Sequence, residues 1–291
     1  MFATLLASLA LAAPPAFELK DGDRVVWIGN TLVEREQRYG YWETALLAAF
    51  PDKNITFRNL GWSGDTVFGD ARAGFDTPAK GFERLVKLTL ELKPTVIFVS
   101  YGTNESFEGE SGLEKFEKGL NKLLNALKPS GARVVLFTPL AIEAAKSDLR
   151  NQRLKMYSQA IRNVATAREY SLVDMFEVSL QVFEEGSKSA HKPVWTDNGI
   201  HLNESGYMRF IAFFLGPPHD VMSSKWSQDL RQAVIAKNQL FFYKWRPQNE
   251  TYLFGFRKHE QGKNAAEIAE FDPLIDAAEK QIRSELAKLK K

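Results

Sequence analysis

A run of bulky apolar residues, Val25, Val26, Trp27 and Ile28, stops abruptly at Gly29, Asn30 and Thr31. An uninterrupted apolar run suits a strand buried on both faces, and the glycine suits a tight turn into the next element. The pattern recurs. Ile55 to Leu60 reads as a strand that ends in Gly61-Trp62-Ser63-Gly64-Asp65-Thr66, and Thr95 to Ser100 as one that ends in Tyr101-Gly102-Thr103-Asn104-Glu105. Arg133 to Phe137 reads as a fourth strand and Ser171 to Met175 as a short fifth. Between them lie segments of helical spacing: Tyr39 to Phe50, Pro78 to Lys93, Ser111 to Leu127, and about Asp148 to Glu169. Ser111 and Glu114 have the spacing of a capping box at the start of the third. Strands alternating with helices predict right-handed βαβ crossovers and a parallel sheet. In such sheets ligands collect at the carboxyl ends of the strands, which puts Thr31 and the two later turns on the functional side.

The rest of the chain is read in the same way. Trp195 to His201 is a loop, and Asn203 can cap a helix through Tyr207, Phe210, Ile211 and Phe214. Gly216-Pro217-Pro218 marks a boundary. Beyond it, Trp226 to Tyr243 and Ala265 to Leu289 have helical spacing, the second able to restart at Pro273. The aromatic and amide-rich segment between them reads as an arm strapping these helices to the domain, with a sugar-stacking pocket wall as the alternative. At the other end, Phe2 to Ala13 is apolar and closes with Ala10, Ala12 and Ala13 ahead of Pro14 and Pro15, although no Lys or Arg precedes it. That pattern is expected of a removable export signal, so the protein is expected in the periplasm or outside the cell. The expected organisation is therefore a signal over residues 1–13, a domain over 20–216 and a helical extension over 217–291.

Composition closes several routes. With 38 Lys and Arg against 36 Asp and Glu, interspersed along the chain, no electrostatic footprint for nucleic acid stands out. The absence of cysteine removes disulfides, thiol catalysis and thiolate metal sites. His191, His219 and His259 have no metal-ligand spacing, and no nucleotide-binding glycine motif is present, so neither metal nor cofactor is expected. No apolar run approaches the roughly 20 residues needed to span a membrane.

Gly29-Asn30-Thr31, Asn59 to Thr66, Gly102-Thr103-Asn104 and Asn198-Gly199-Ile200-His201 fall in the order of four blocks of one family. Over about residues 20 to 216 the chain resembles the SGNH (GDSL-type) hydrolases, with their G-D-S turn, N-x-G-x-x-G-D stretch, G-x-N turn and late D-x-x-H. The resemblance implies a three-layer α/β/α, flavodoxin-like parallel sheet. It also implies hydrolysis of a carboxylic ester in a small molecule or glycan, one candidate being an acetyl group on a carbohydrate. Thr31 falls at the position of the serine nucleophile and His201 at that of the general base. The N–H groups of Thr31 and Gly64, with Asn104, fall at the oxyanion hole, and Asn30 and Ser63 beside the substrate.

Three positions depart from the family pattern. Threonine replaces serine at 31, asparagine replaces aspartate at 30, and Asn198 stands three residues before His201 where the family has aspartate. In a serine protease such an Asp-to-Asn change costs about ten-thousandfold in turnover, whereas Cys-His-Asn enzymes work with the amide. Either Asn198 or the adjacent Asp197 is expected to orient His201. The alternative expectation is an inactive module that keeps the pocket and binds an acylated glycan.

Overall fold

A computed structural model of the chain describes residues 17–190, 193–215, 225–260 and 264–288. The expected export signal, the Gly216-Pro217-Pro218 boundary, His191 and His219 lie outside the described residues. Five strands, β1 (Arg24–Gly29), β2 (Thr56–Gly61), β3 (Val96–Ser100), β4 (Arg133–Phe137) and β5 (Ser171–Val173), pair in parallel in the order β2-β1-β3-β4-β5. This is the flavodoxin-like winding, whose switch point lies where the chain crosses from β2 past β1 to β3.

Alternation along the strands divides the core in two. Trp27, Phe98 and Phe137 point to one face, where Trp27 stacks on Trp42 at 5.8 Å and meets Phe98 edge-on at 5.3 Å. Helices α1 (Thr31–Tyr39), α2 (Tyr41–Ala49), α6 (Met175–Ser187), α7 (Glu204–Arg209) and α8 (Ala212–Leu215) contribute to this layer. Val26, Ile28, Ile97, Val99 and Leu136 point to the other face, against α3 (Pro78–Glu91), α4 (Leu113–Leu127) and α5 (Leu149–Arg168). The sheet is thus buried on both sides, as its near-continuous apolar strands require.

Two local features differ from the sequence reading. The helix expected from Tyr39 is preceded by another, α1, and the two are separated by Gly40 in the left-handed region (φ 64°). Helix α1 buries only Val33 and Glu36, so it carries no apolar stripe to betray it. The buried Glu36 carboxylate caps α2, accepting from Trp42 N–H at 2.7 Å and Glu43 N–H at 3.2 Å. Burial pushes that carboxyl well above its ordinary pKa. The second difference is at α4. A 3-10 turn over Glu110–Gly112 runs straight into the helix, so Gly112 occupies the cap position in helical geometry. Ser111 Oγ donates to Glu108 O instead of capping, and Glu114 pairs with Lys118.

The C-terminal segment forms α9 (Lys225–Trp245), α10 (Glu250–Leu253) and α11 (Phe271–Ala287), with α11 packed on α9 and α9 on α1, α2 and β2. Its anchor is ionic. Lys237 is fully buried and reaches Glu43 at 2.7 Å and Phe57 O at 3.1 Å, while Asn238 donates to the second Glu43 oxygen at 2.9 Å. Arg58 of β2 pairs with Glu279 of α11 at 2.5 Å. Removing one partner of such a buried pair strands the other charge. Lys237→Ala is therefore expected to cost about 3–5 kcal/mol in chemical denaturation, and Glu43→Leu/Lys237→Met to recover most of it.

Candidate active site

The site is assembled at the carboxyl ends of β1, β2 and β3. A Cβ on Gly29 would lie 2.5 Å from Val33 Cγ2 and 2.6 Å from Ser100 O, so only glycine turns the chain there. Asn30 then caps α1, its Oδ1 accepting from Leu32 N–H at 3.1 Å. Thr31 is the first helical residue. Its own N–H has no intrahelical acceptor and stands at the positive end of the helix dipole. Gly64, in a left-handed turn (φ 78°), donates its N–H to Thr31 Oγ1 at 3.3 Å. Asn104 Nδ2 donates to Asp65 O at 2.8 Å and so ties the third turn to the second.

Thr31, Asn30, Asn104 and His201 line one cavity of about 270 Å³, whose remaining wall is largely apolar, including Leu140, Ile142, Ile200 and Leu202. His201 reaches it from a loop held by its own backbone. Thr196 and Leu202 form an isolated antiparallel bridge, Asp197 N–H donates to His201 O at 2.8 Å, and Gly199 N–H donates to Thr196 Oγ1 at 2.9 Å. Asn198 Oδ1 accepts from the N–H groups of Ile200 at 3.2 Å and His201 at 2.9 Å, so its carbonyl oxygen is directed to the main chain. The Asp197 carboxylate pairs with Arg35, one helical turn beyond Thr31 in α1, and Arg35 also donates to Leu202 O at 3.1 Å. Burial and the Arg35 cation hold His201 below the ordinary imidazole pKa, against a smaller upward pull from Asp197. The imidazole is accordingly neutral at pH 7. Ser63 is engaged by Glu34, to which its N–H and Oγ both donate, at 2.7 and 2.9 Å.

A buried polar frame stands behind the three turns. Asp65 and Arg72 pair at 2.6 Å with no exposure, and Tyr101 OH reaches Asp65 at 3.1 Å. Glu105 accepts from Val67 N–H with one carboxylate oxygen and from Gly102 N–H with the other, both at 2.9 Å, clamping the second turn to the third. Burial pushes its pKa up to about 7. Arg35, Glu34 and Glu105 were not among the residues expected at the site. Arg35 would follow from Thr31 by i+4 spacing once α1 is recognised, and Glu105 directly follows Asn104.

A model of the GDSL-like lipase/acylhydrolase family matches residues 22–209. Among solved structures, a catalytic mutant of Axe2, an acetylxylan esterase from Geobacillus stearothermophilus, superposes with a TM-score of 0.55 at 19% identity, covering 68% of this chain and 94% of that one. LAE5, an alpha/beta hydrolase enzyme from the metagenome of Lake Arreo in Spain, gives 0.55 at 21% identity over 67% and 94% of the two chains. The acetyl xylan esterase AlAXEase gives 0.54 at 19% identity over 65% and 96%. At these identities the likeness is one of fold. No curated protein sequence matches the chain.

The Glu105 clamp has a pH signature. Burial disfavours the charged carboxylate more than its two backbone hydrogen bonds favour it, so with a folded pKa of about 7 above the ordinary 4.5 stability is highest below 4.5 and falls as pH rises through 7. Glu105→Gln cannot ionise, but it points an amide NH2 at a backbone donor. In urea unfolding it is expected to cost about 1–3 kcal/mol at acid pH, with the gap to the parent narrowing as pH rises.

Proposed function

Because the chain belongs to the GDSL-like lipase/acylhydrolase family, we propose that it hydrolyses carboxylic esters with Thr31 as nucleophile and His201 as general base. The observation that carries this reading is the Gly64 N–H at 3.3 Å from Thr31 Oγ1, at the start of a helix and in a cavity shared with His201. Neutral His201 takes the proton from Thr31 Oγ1 as that oxygen attacks the acyl carbon. The carbonyl oxygen becomes negative, and the N–H groups of Thr31 and Gly64 with the Asn104 amide stabilise it. Collapse expels the alcohol, which takes the proton from His201. Water then gives a proton to His201 and attacks the acyl-threonine; the bond to Thr31 breaks, Thr31 Oγ1 takes that proton from His201, and the acid leaves.

Asn198 and Asp197 act in this reading as positioning residues. Asn198 fixes the backbone that carries the imidazole, and Asp197 anchors the same loop through Arg35. The apolar wall suits a short acyl group, and the acetylxylan esterases that share the fold support an acetylated carbohydrate as substrate. Asn30 shapes the cavity floor. Ser63, committed to Glu34, contributes to the adjoining surface. Residues 20–216 form the hydrolase-type domain and 217–291 its helical extension. An export signal over 1–13 is supported by the small residues Ala10, Ala12 and Ala13. No helix among the described residues is long and apolar enough to cross a membrane.

A second reading, an inactive module that binds an acylated glycan, is favoured by one observation. Asn198 Oδ1 serves the main chain and Asp197 pairs with Arg35, so among the described residues no carboxylate is hydrogen-bonded to the imidazole. Steady-state kinetics on 4-nitrophenyl acetate and on acetylated xylo-oligosaccharides separates the two. The esterase reading expects turnover that falls about a thousandfold or more in Thr31→Ala and in His201→Ala, and persists or rises in Thr31→Ser, which lacks the crowding methyl. An inert parent with an active Thr31→Ser variant supports the binding module instead.

The pH profile follows from the charges around His201. The base must be neutral, and its pKa is lowered, so the acid limb of kcat/KM is expected below the ordinary imidazole value of 6.5. Arg35→Ala removes a cation and releases Asp197, both of which favour the imidazolium. The acid limb should therefore move to higher pH, with activity at alkaline pH less affected than at acid pH.

A further inference from the structure

A second, larger concavity of about 700 Å³ opens between the turn after β2 and the segment that follows α9. Two stretches of chain bring it close to Thr31. Glu34, which lines it, lies three residues beyond Thr31 in α1, and Trp62, which also lines it, lies two residues before Gly64. Ser63, between Trp62 and Gly64, has both its hydrogen bonds on Glu34.

The lining combines open aromatic faces with charges that are already paired. Phe75 and Phe256 are 86% and 70% exposed and meet edge to face at 6.1 Å, while Phe254 beside them is 54% exposed. Aromatics left in water around a concavity mark a place where something stacks. The Arg246 guanidinium lies 3.7 Å from the centre of the Trp62 ring and pairs with Glu34 at 2.5 Å. Arg84 lies between Asp76 at 3.8 Å and Glu250 at 3.6 Å. Both cations of the lining thus face carboxylates, which disfavours an anionic ligand. A bare acyl chain fares no better, because it would cover these charged groups without bonding to them. A neutral ring with one apolar face and a rim of hydroxyls satisfies both halves of the lining: the aromatics take its face, and Glu250, Gln248 and Thr251 take its hydroxyls.

We propose that this groove is a binding subsite for a neutral oligosaccharide, holding the sugar units next to the one whose ester enters the Thr31 cavity. The coupling to Thr31 rests on the esterase reading; the binding of the sugar does not. Isothermal titration of the full chain with xylohexaose, cellohexaose, mannohexaose and chitohexaose tests it, since none of these carries the scissile ester. Saturable binding of at least one is expected, unchanged in Thr31→Ala and weakened about tenfold in Phe75→Ala/Phe256→Ala, the loss expected for two stacking rings. Both phenylalanines are exposed, so an unaltered melting temperature of the double variant confirms that the loss is not one of folding. Absence of binding by all four sugars, or binding indifferent to the double variant, overturns the proposal. Sugar binding without turnover of 4-nitrophenyl acetate would leave the groove standing and defeat the esterase reading. Turnover without sugar binding would do the reverse.

Discussion

With a side chain on Gly61, helix α1 could not lie where it does. A Cβ there would sit 2.2 Å from Glu34 N and 2.6 Å from Val33 C. The bare backbone at the ends of β1 and β2 lets the helix start against the sheet edge instead of standing off it. From that placement much of the site follows. Thr31 meets the Gly64 N–H, Glu34 holds Ser63 and Arg246, Arg35 holds Asp197 and the loop of His201, and Glu36 caps the next helix. A nine-residue helix that buries only two of its side chains is stabilised here by what its polar groups reach.

The polar frame around the turns explains how the site keeps its geometry on loops. Loops hold position poorly unless their donors and acceptors are satisfied locally. Here Glu105 bonds two turns, Asn104 bonds two turns, and Asp65 with Arg72 forms a buried pair beneath them. The His201 loop is held in the same manner by Asn198, Thr196 and Asp197. Asn198 has a structural role in this frame: its amide oxygen organises the turn, while the adjacent Asp197 carboxylate pairs with Arg35.

The sheet was legible from the sequence because its strands are buried on both faces and so read as unbroken apolar runs closed by glycine. Thr31, Gly64, Asn104 and His201 were put forward by the order of four blocks that resembles the family, and the structure gathers Thr31, Asn104 and His201 on one cavity with the Gly64 N–H on Thr31 Oγ1. Helix α1 was not legible, since Glu34, Arg35, Glu36 and Arg38 leave it without an apolar stripe. With α1 unseen, Glu34 and Arg35 could not be placed at the site. The apparent capping box at Ser111 and Glu114 failed for a related reason. Its spacing was right, but the chain enters α4 already coiled, leaving no extended residue to act as the cap. The extension behaved differently again: its helices were readable from periodicity, but their anchor, Lys237 on Glu43, joins residues nearly two hundred positions apart.

With Thr31 as nucleophile, its hydroxyl oxygen carries the acyl group between the two half-reactions. Acid-quenched 4-nitrophenyl acetate turnover, digested and read by tandem mass spectrometry, tests it at the atom concerned. A single acetyl group is expected on the peptide that contains Thr31, located to that residue and absent from Thr31→Ala. An acetyl group on Ser63 instead, or undiminished turnover in Thr31→Ala, would contradict it.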